Sequence, residues 1–175
     1  MIIKINRYVF ISNTYIYFLG LHKIAKDLQK LQDKVDNYQK HDIMFSVYTL
    51  PTSSQEIKTR NFVYFNQTIY KSKDTVLDLS TGTFTASVNG IYEFSYSGGV
   101  SSGNRATNIA VKQKGYNKLT FEHYGSSNGG YGLMTFNFML KLQHMDTVQL
   151  YITEGKVYSN KNEARVFNGK LIQAI

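Results

Sequence analysis

The chain has no cysteine, no tryptophan, a single proline, and no apolar run of the roughly 20 residues that a bilayer span requires. Without cysteine there is no disulfide, no thiol nucleophile and no thiolate ligand for zinc, so the fold must rest on its own core. Cysteine usage therefore does not choose between secretion and cytosol. The four histidines, His22, His41, His123 and His144, are scattered. No H-E-x-x-H and no paired glycine-flanked serine accompanies them, which leaves triad and zinc chemistry without a scaffold. "GGVSSGNR", Gly98 to Arg105, imitates a phosphate loop but has Asn104 where lysine is required and no helix after it. "HMD", His144 to Asp146, reads as a solvated turn rather than a metal site.

What is abundant is aromatic: 14 tyrosines and 11 phenylalanines in 175 residues, with 42% hydrophobic content. That composition suits one β-rich domain with a proper core plus an accessory segment, and excludes a disordered chain. The formal charge of +8 is uneven, since residues 1–41 carry seven basic against three acidic side chains. Such a balance favours anionic surfaces or glycans as partners, with no specific nucleic acid expected, and it also serves solubility.

Three segments follow. Residues 1–20 have a basic start, Lys4 and Arg7, and an uncharged stretch from Tyr8 to Leu21. This is the outline of a secretory signal, the alternative being a disordered lead-in. Residues 21–41 place Leu21, Ile24, Leu28, Leu31, Val35 and Tyr38 at alternating spacings of three and four. That is one narrow apolar seam on a helix, suited to another copy of itself, with Leu21, Leu28 and Val35 at a and Ile24, Leu31 and Tyr38 at d. Three or four helices are favoured; the alternative is a helix lying on its own domain. Residues 42–175 show nine short β-type runs between turn signals, the pattern of an all-β sandwich or jelly roll. Asn89-Gly90, flanked by alternating apolar residues, predicts a type I′ hairpin. Beyond it Tyr92, Phe94 and Tyr96 share one face, either of the sandwich interior or of a subunit seam.

"MFSVYTL", "FVYFNQTIY", "LDLSTGTFTASVNGIYEFSYSG", "MLKLQHMDTVQLYI" and "RVFNGKLI" follow one another in the order and at the separations of the C1q globular domain. The most specific block is Thr81-Gly82-x-Phe84 through Gly90-x-Tyr92-x-Phe94, and the resemblance extends from about Phe45 to Ile172. It implies a ten-stranded jelly roll similar to the tumour-necrosis-factor fold, a homotrimer, and a secreted, non-enzymatic, lectin-like recognition module of the innate-immunity type. The ligand would be a glycan, an anionic surface or a protein receptor. Alternatives are a cytokine-like receptor ligand and an intracellular oligomerisation module. No Gly-X-Y repeat is present, so no collagen stalk is implied. No cofactor is expected; calcium is a property of some relatives, and no residue here is assigned to it.

Three features stand out for recognition. "KQKGYNK" brings Lys112, Lys114, Tyr116 and Lys118 into a turn between strands, with alternation sending Lys112 and Lys114 to one face. These are ligand contacts or guards of an edge strand. "HYGSSNGGYG" carries Tyr124 and Tyr131 in a small-residue loop, either an adaptable polar surface or a connector. Asn66-Gln67-Thr68 is a glycosylation sequon.

Overall fold

A computed structural model describes residues 17–33, 35, 42–103, 106–124 and 130–175, without the side chains of 102, 103, 130 and 131. The chain divides into two compact units, Met1–Lys40 and His41–Ile175.

In the first unit, residues 17–33 are helical, so the helix begins ahead of the expected start at 21. Leucine, lysine, glutamine and aspartate occupy it without glycine or proline after Gly20, and Gln29 Nε2 donates to Asp33 Oδ1 at 2.9 Å, one turn on. Leu21, Ile24, Leu28, Leu31 and Val35 are 47–65% exposed. Tyr38, the last residue of the expected seam, lies outside the described residues. No described helix is long and apolar enough to cross a membrane.

The second unit is two antiparallel sheets around one core. The seven-stranded sheet comprises β1 (Met44–Thr49), β2 (Gln55–Lys58), β3 (Gln67–Lys71), β6 (Gly90–Gly103), β9 (Gly130–Leu142), β11 (Lys156–Ser159) and β12 (Arg165–Ala174). The five-stranded sheet comprises β4 (Val76–Asp78), β5 (Thr83–Thr85), β7 (Ala106–Gln113), β8 (Tyr116–Tyr124) and β10 (Thr147–Glu154), in the order β4-β5-β10-β7-β8. Twelve strands are thus described where ten were expected, because four of them, β2, β4, β5 and β11, are pieces of only three or four residues.

β6 organises the larger sheet. β9 pairs along it from Gly90↔Leu142 to Gly103↔Gly130. Its other edge is shared end to end by β12, which pairs from Gly90 to Ser97, and β11, which pairs at Gly99 and Val100. Alternation sends every second side chain inward. Tyr92, Phe94 and Tyr96 all point to the core and are at most 1% exposed, so of the two surfaces left open for them they line the interior. They pack with Phe45, Phe84 and Phe167 in a continuous aromatic cluster, for example Phe94–Phe167 at 5.9 Å and Phe45–Phe84 at 5.5 Å between ring centres. The Tyr92 hydroxyl donates to Val88 O at 2.9 Å, so its burial leaves no polar atom unpaired.

The Asn89-Gly90 hairpin is not formed. β5 pairs with β4 and β10 in one sheet, while β6 starts the other, and neither Asn89 nor Gly90 has a positive φ. The segment crosses between layers instead. Asn89 Oδ1 accepts from His144 N at 2.7 Å, and a β-carbon at Gly90 would lie 2.7 Å from Gln173 O. Glycine there permits close approach of β12 rather than a left-handed turn. The type I′ turn falls instead at Lys114 (φ 52) and Gly115 (φ 82), between the paired ends Gln113 and Tyr116.

Candidate functional site

That turn joins β7 to β8, and the turn joining β9 to β10 lies against it. Asp146, on the latter, is 3% exposed and accepts from Gln113 Nε2 at 2.9 Å and from Gln143 N at 3.2 Å. Lys114 Nζ stands 2.8 Å from Asp146 Oδ1 and also reaches Gln143 Oε1 at 3.5 Å. Backbone bonds lock the two turns as well, with Lys114 N donating to Thr147 O at 3.1 Å. "HMD" is therefore a turn, as expected, but only His144 and Met145 are solvated. Asp146 is turned inward because the hairpin supplies the donors that replace water.

A cavity of about 400 Å³ opens beside this lock, lined by Gln113, Lys114, Tyr116, Lys118, Lys141, Gln143 and Asp146. Three lysines and one carboxylate are among its lining residues, and Lys114 already neutralises the carboxylate. Lys118 and Lys141 have no ion pair among the described residues. The excess positive charge is thus free to meet an anion, and the amide groups of Gln113 and Gln143 can share in the hydrogen bonding. Tyr116, 77% exposed, adds a flat amphipathic ring at the rim.

The structure separates residues that the sequence placed together. Lys114, Tyr116 and Lys118 line the cavity, whereas Lys112 does not. The left-handed backbone at Lys114 ends the alternation that would have put both lysines on one face, and the bulge opposite Val111 and Lys112 falls on β8, where Lys118 is the extra residue. Lys112 Nζ instead rests 3.9 Å from the Tyr151 ring centre and 5.3 Å from that of Phe62. Tyr124 is exposed at the opposite end of β8, roughly 26 Å along the strand from Tyr116 at about 3.3 Å per residue. Tyr131 belongs to β9, pairing with Ser101, and its side chain is outside the described residues. Asn66 is exposed just before β3. Lys141, Gln143 and Asp146 come from a segment about 25 residues further along the chain, and no local sequence signal ties them to the hairpin. Among the described residues no three His, Asp or Glu side chains converge as a metal site.

Two antiparallel sheets closed over an aromatic core, with strands exchanged between layers, define a jelly-roll sandwich of the type shared by C1q and tumour-necrosis-factor domains. The model of the C1q domain family matches residues 28–172, and the chain belongs to that family. No curated protein matches it. Among solved structures, the globular domain of zebrafish complement 1qA is similar at 23% identity and a TM-score of 0.59, covering 76% of this chain and 99% of that one. Eiger TNF from S. frugiperda is similar at 12% identity and 0.62, covering 77% and 95%. Murine APRIL is similar at 12% identity and 0.56, covering 75% and 100%. At these identities the likeness is one of fold.

Proposed function

We propose that the protein is an extracellular, non-enzymatic recognition module that assembles as a homotrimer and binds anionic saccharides or similarly charged surfaces through the lysine-framed cavity. The observation that carries this reading is that Lys114, Lys118 and Lys141 line one cavity whose single carboxylate is already paired. A carboxylated or sulfated sugar matches it: the acidic group meets the ammonium groups, and the sugar ring lies against Tyr116.

Self-association supplies the strength. Single charge contacts in an exposed pocket are weak and screened beyond about 8 Å at physiological ionic strength, but three copies on one repetitive surface act together. The outer face of the seven-stranded sheet is suited to that assembly. It carries Met44, Leu133, Met139 and Ile172 exposed, around a groove of about 480 Å³ crossed by the Lys170–Glu93 ion pair at 2.8 Å and the Asn168–Ser95 hydrogen bond at 2.9 Å. Exposed apolar side chains beside polar groups that already satisfy one another can be buried in a subunit contact without stranding a charge. The exposed seam of the helix offers a second route to the same stoichiometry.

The test is retention on a sulfated-polysaccharide resin under a salt gradient. The wild-type chain is expected to bind and to elute with added salt. Lys118→Gln with Lys141→Gln should elute far earlier, whereas Lys112→Gln, whose ammonium is held over Tyr151 and Phe62, should elute with the wild type. Co-elution of the double variant with the wild type sinks the assignment and leaves a protein receptor as the better ligand.

A further inference from the structure

Two adjacent strands of the seven-stranded sheet are broken at the same level. β1 ends at Thr49 and β2 begins at Gln55; β11 ends at Ser159 and β12 begins at Arg165. Thr49 pairs with Arg165 and Gln55 with Ser159, so the residues bounding the two breaks face one another across the strands. On β6 the pairing passes from Ser97↔Val166 to Gly99↔Tyr158, which puts the break opposite Gly98. Around it the interior lining turns from apolar to polar. Thr49, Ser159 and Arg165 are all 0% exposed. The Tyr96 hydroxyl and Arg165 Cγ crowd the space where Gly98 would carry a β-carbon, so the phenol and the arginine stem meet there.

Most of this polarity is unanswered. Arg165 Nε, Nη1 and Nη2 have no hydrogen-bond partner, and neither do Tyr96 Oη, Ser159 Oγ and Gln55 Oε1. None of the ion pairs among the described residues includes Arg165. Its surroundings are phenolic: the Tyr64 ring lies 5.4 Å from the guanidinium carbon, and the Tyr64 and Tyr96 side chains are the polar groups that interact with its charge, neither of them a carboxylate. A guanidinium does not shed its proton at physiological pH, so a fully buried one demands a counter-charge or a dense set of acceptors. The neighbourhood offers the reverse. Ser159 and Tyr96 bring hydroxyls that can donate, and Gln55 Oε1 is the one unpaired atom that can only accept. Burial holds the Tyr96 phenol well above its ordinary pKa, which keeps it a protonated donor. A water molecule would answer some of these donors and leave the charge. A small anion would answer both.

We propose that the double break holds a buried monovalent anion of the halide class, bound by the Arg165 guanidinium and completed by the hydroxyls of Ser159 and Tyr96. A divalent oxyanion would reverse the charge imbalance instead of cancelling it, so the spherical monovalent ion is the better match. This site is inside the sandwich, separate from the lysine cavity, and does not depend on it.

The experiment is thermal unfolding of the full chain at fixed ionic strength, with chloride or bromide exchanged stepwise for gluconate. Wild-type protein should gain stability saturably, with a melting shift of about 3–6 °C once the halide is well above its dissociation constant. Ser159→Ala and Tyr96→Phe should move the midpoint of that gain to higher halide concentration. Arg165→Met should abolish it while folding in gluconate at least as well as wild type, since the unpaired charge is gone. Bromide-grown crystals of the wild type give a reading independent of any variant, an anomalous peak in contact with the guanidinium. Equal melting in halide and gluconate, or ordered water with no anomalous signal beside Arg165, overturns the proposal.

Discussion

Lys114 Nζ and Asp146 Oδ1 lie 2.8 Å apart and join the turn after β7 to the turn before β10. One partner is half exposed and the other almost wholly buried, so the pair is not an ordinary surface bridge. Burial by itself would raise the Asp146 pKa. Hydrogen bonds from Lys114, Gln113 and the Gln143 N–H, with the charge of Lys114, outweigh it and hold the carboxyl below its ordinary 3.8. A depressed folded-state pKa means the stabilisation is complete above the unfolded value and disappears as pH falls through the folded one. Acid unfolding of the wild type should therefore include an Asp146 contribution lost below about pH 3.8. Asp146→Asn should cost about 2–4 kcal/mol in urea denaturation at pH 7 and should lack that acid-sensitive component. An unchanged midpoint would mean that the lock contributes nothing to the fold.

Two glycines distinguish crowding from backbone strain. At Gly90 a β-carbon would sit 2.5 Å from Leu171 Cδ1 and 2.7 Å from Gln173 O, so Gly90→Ala must push β12 away and should cost about 1–3 kcal/mol. At Gly115 φ is +82 with no atom within 4 Å, so Gly115→Ala bears only the left-handed penalty, about 1 kcal/mol. Chemical denaturation of both reads the difference directly. A milder loss at Gly90 than at Gly115 would place β12 wrongly against β6.

Assembly is the third expectation. Sedimentation equilibrium should give about three times the 20.0 kDa chain mass, less any cleaved leader. Leu28→Asp with Leu31→Asp introduces charge into the exposed apolar seam, and should erase the helical circular dichroism while the β domain stays associated. Conversion to monomers would assign assembly to the helix instead, and a wild-type monomer at all concentrations contradicts the trimer outright.

The β-rich class and the shared face of Tyr92, Phe94 and Tyr96 were legible because alternation and turn residues are local signals, and the family through its motif blocks; that this face lines the interior is settled only by packing. The turn at Lys114-Gly115 was visible as a turn, yet Asn89-Gly90 looked the stronger hairpin. Its residue types suit a positive φ, and only the change of sheet between β5 and β6 shows that glycine is there for contact. Lysine spacing grouped Lys112 with Lys114 and Lys118. The left-handed backbone at Lys114 separated the first from the other two, and Lys141 arrived from β9, which no sequence window spans. Arg165 was the least legible. An arginine opening a strand reads as a solvated flank, and its burial follows only from the coincidence of two breaks in neighbouring strands.

β12 has a consequence for how the protein is made. It lies between β6 and β1, with Phe167 in ring contact with both Phe45 and Phe94. Until residues 165–174 have left the ribosome, β1 and β6 cannot be joined, although β1 can pair with β3 and β6 with β9 before then. Folding is therefore postponed to the end of translation, and the half-made sheet exposes phenylalanine-rich edges for the whole interval. Two half-sheets, β1 with β3 and β6 with β9, thus wait for one late strand to join them.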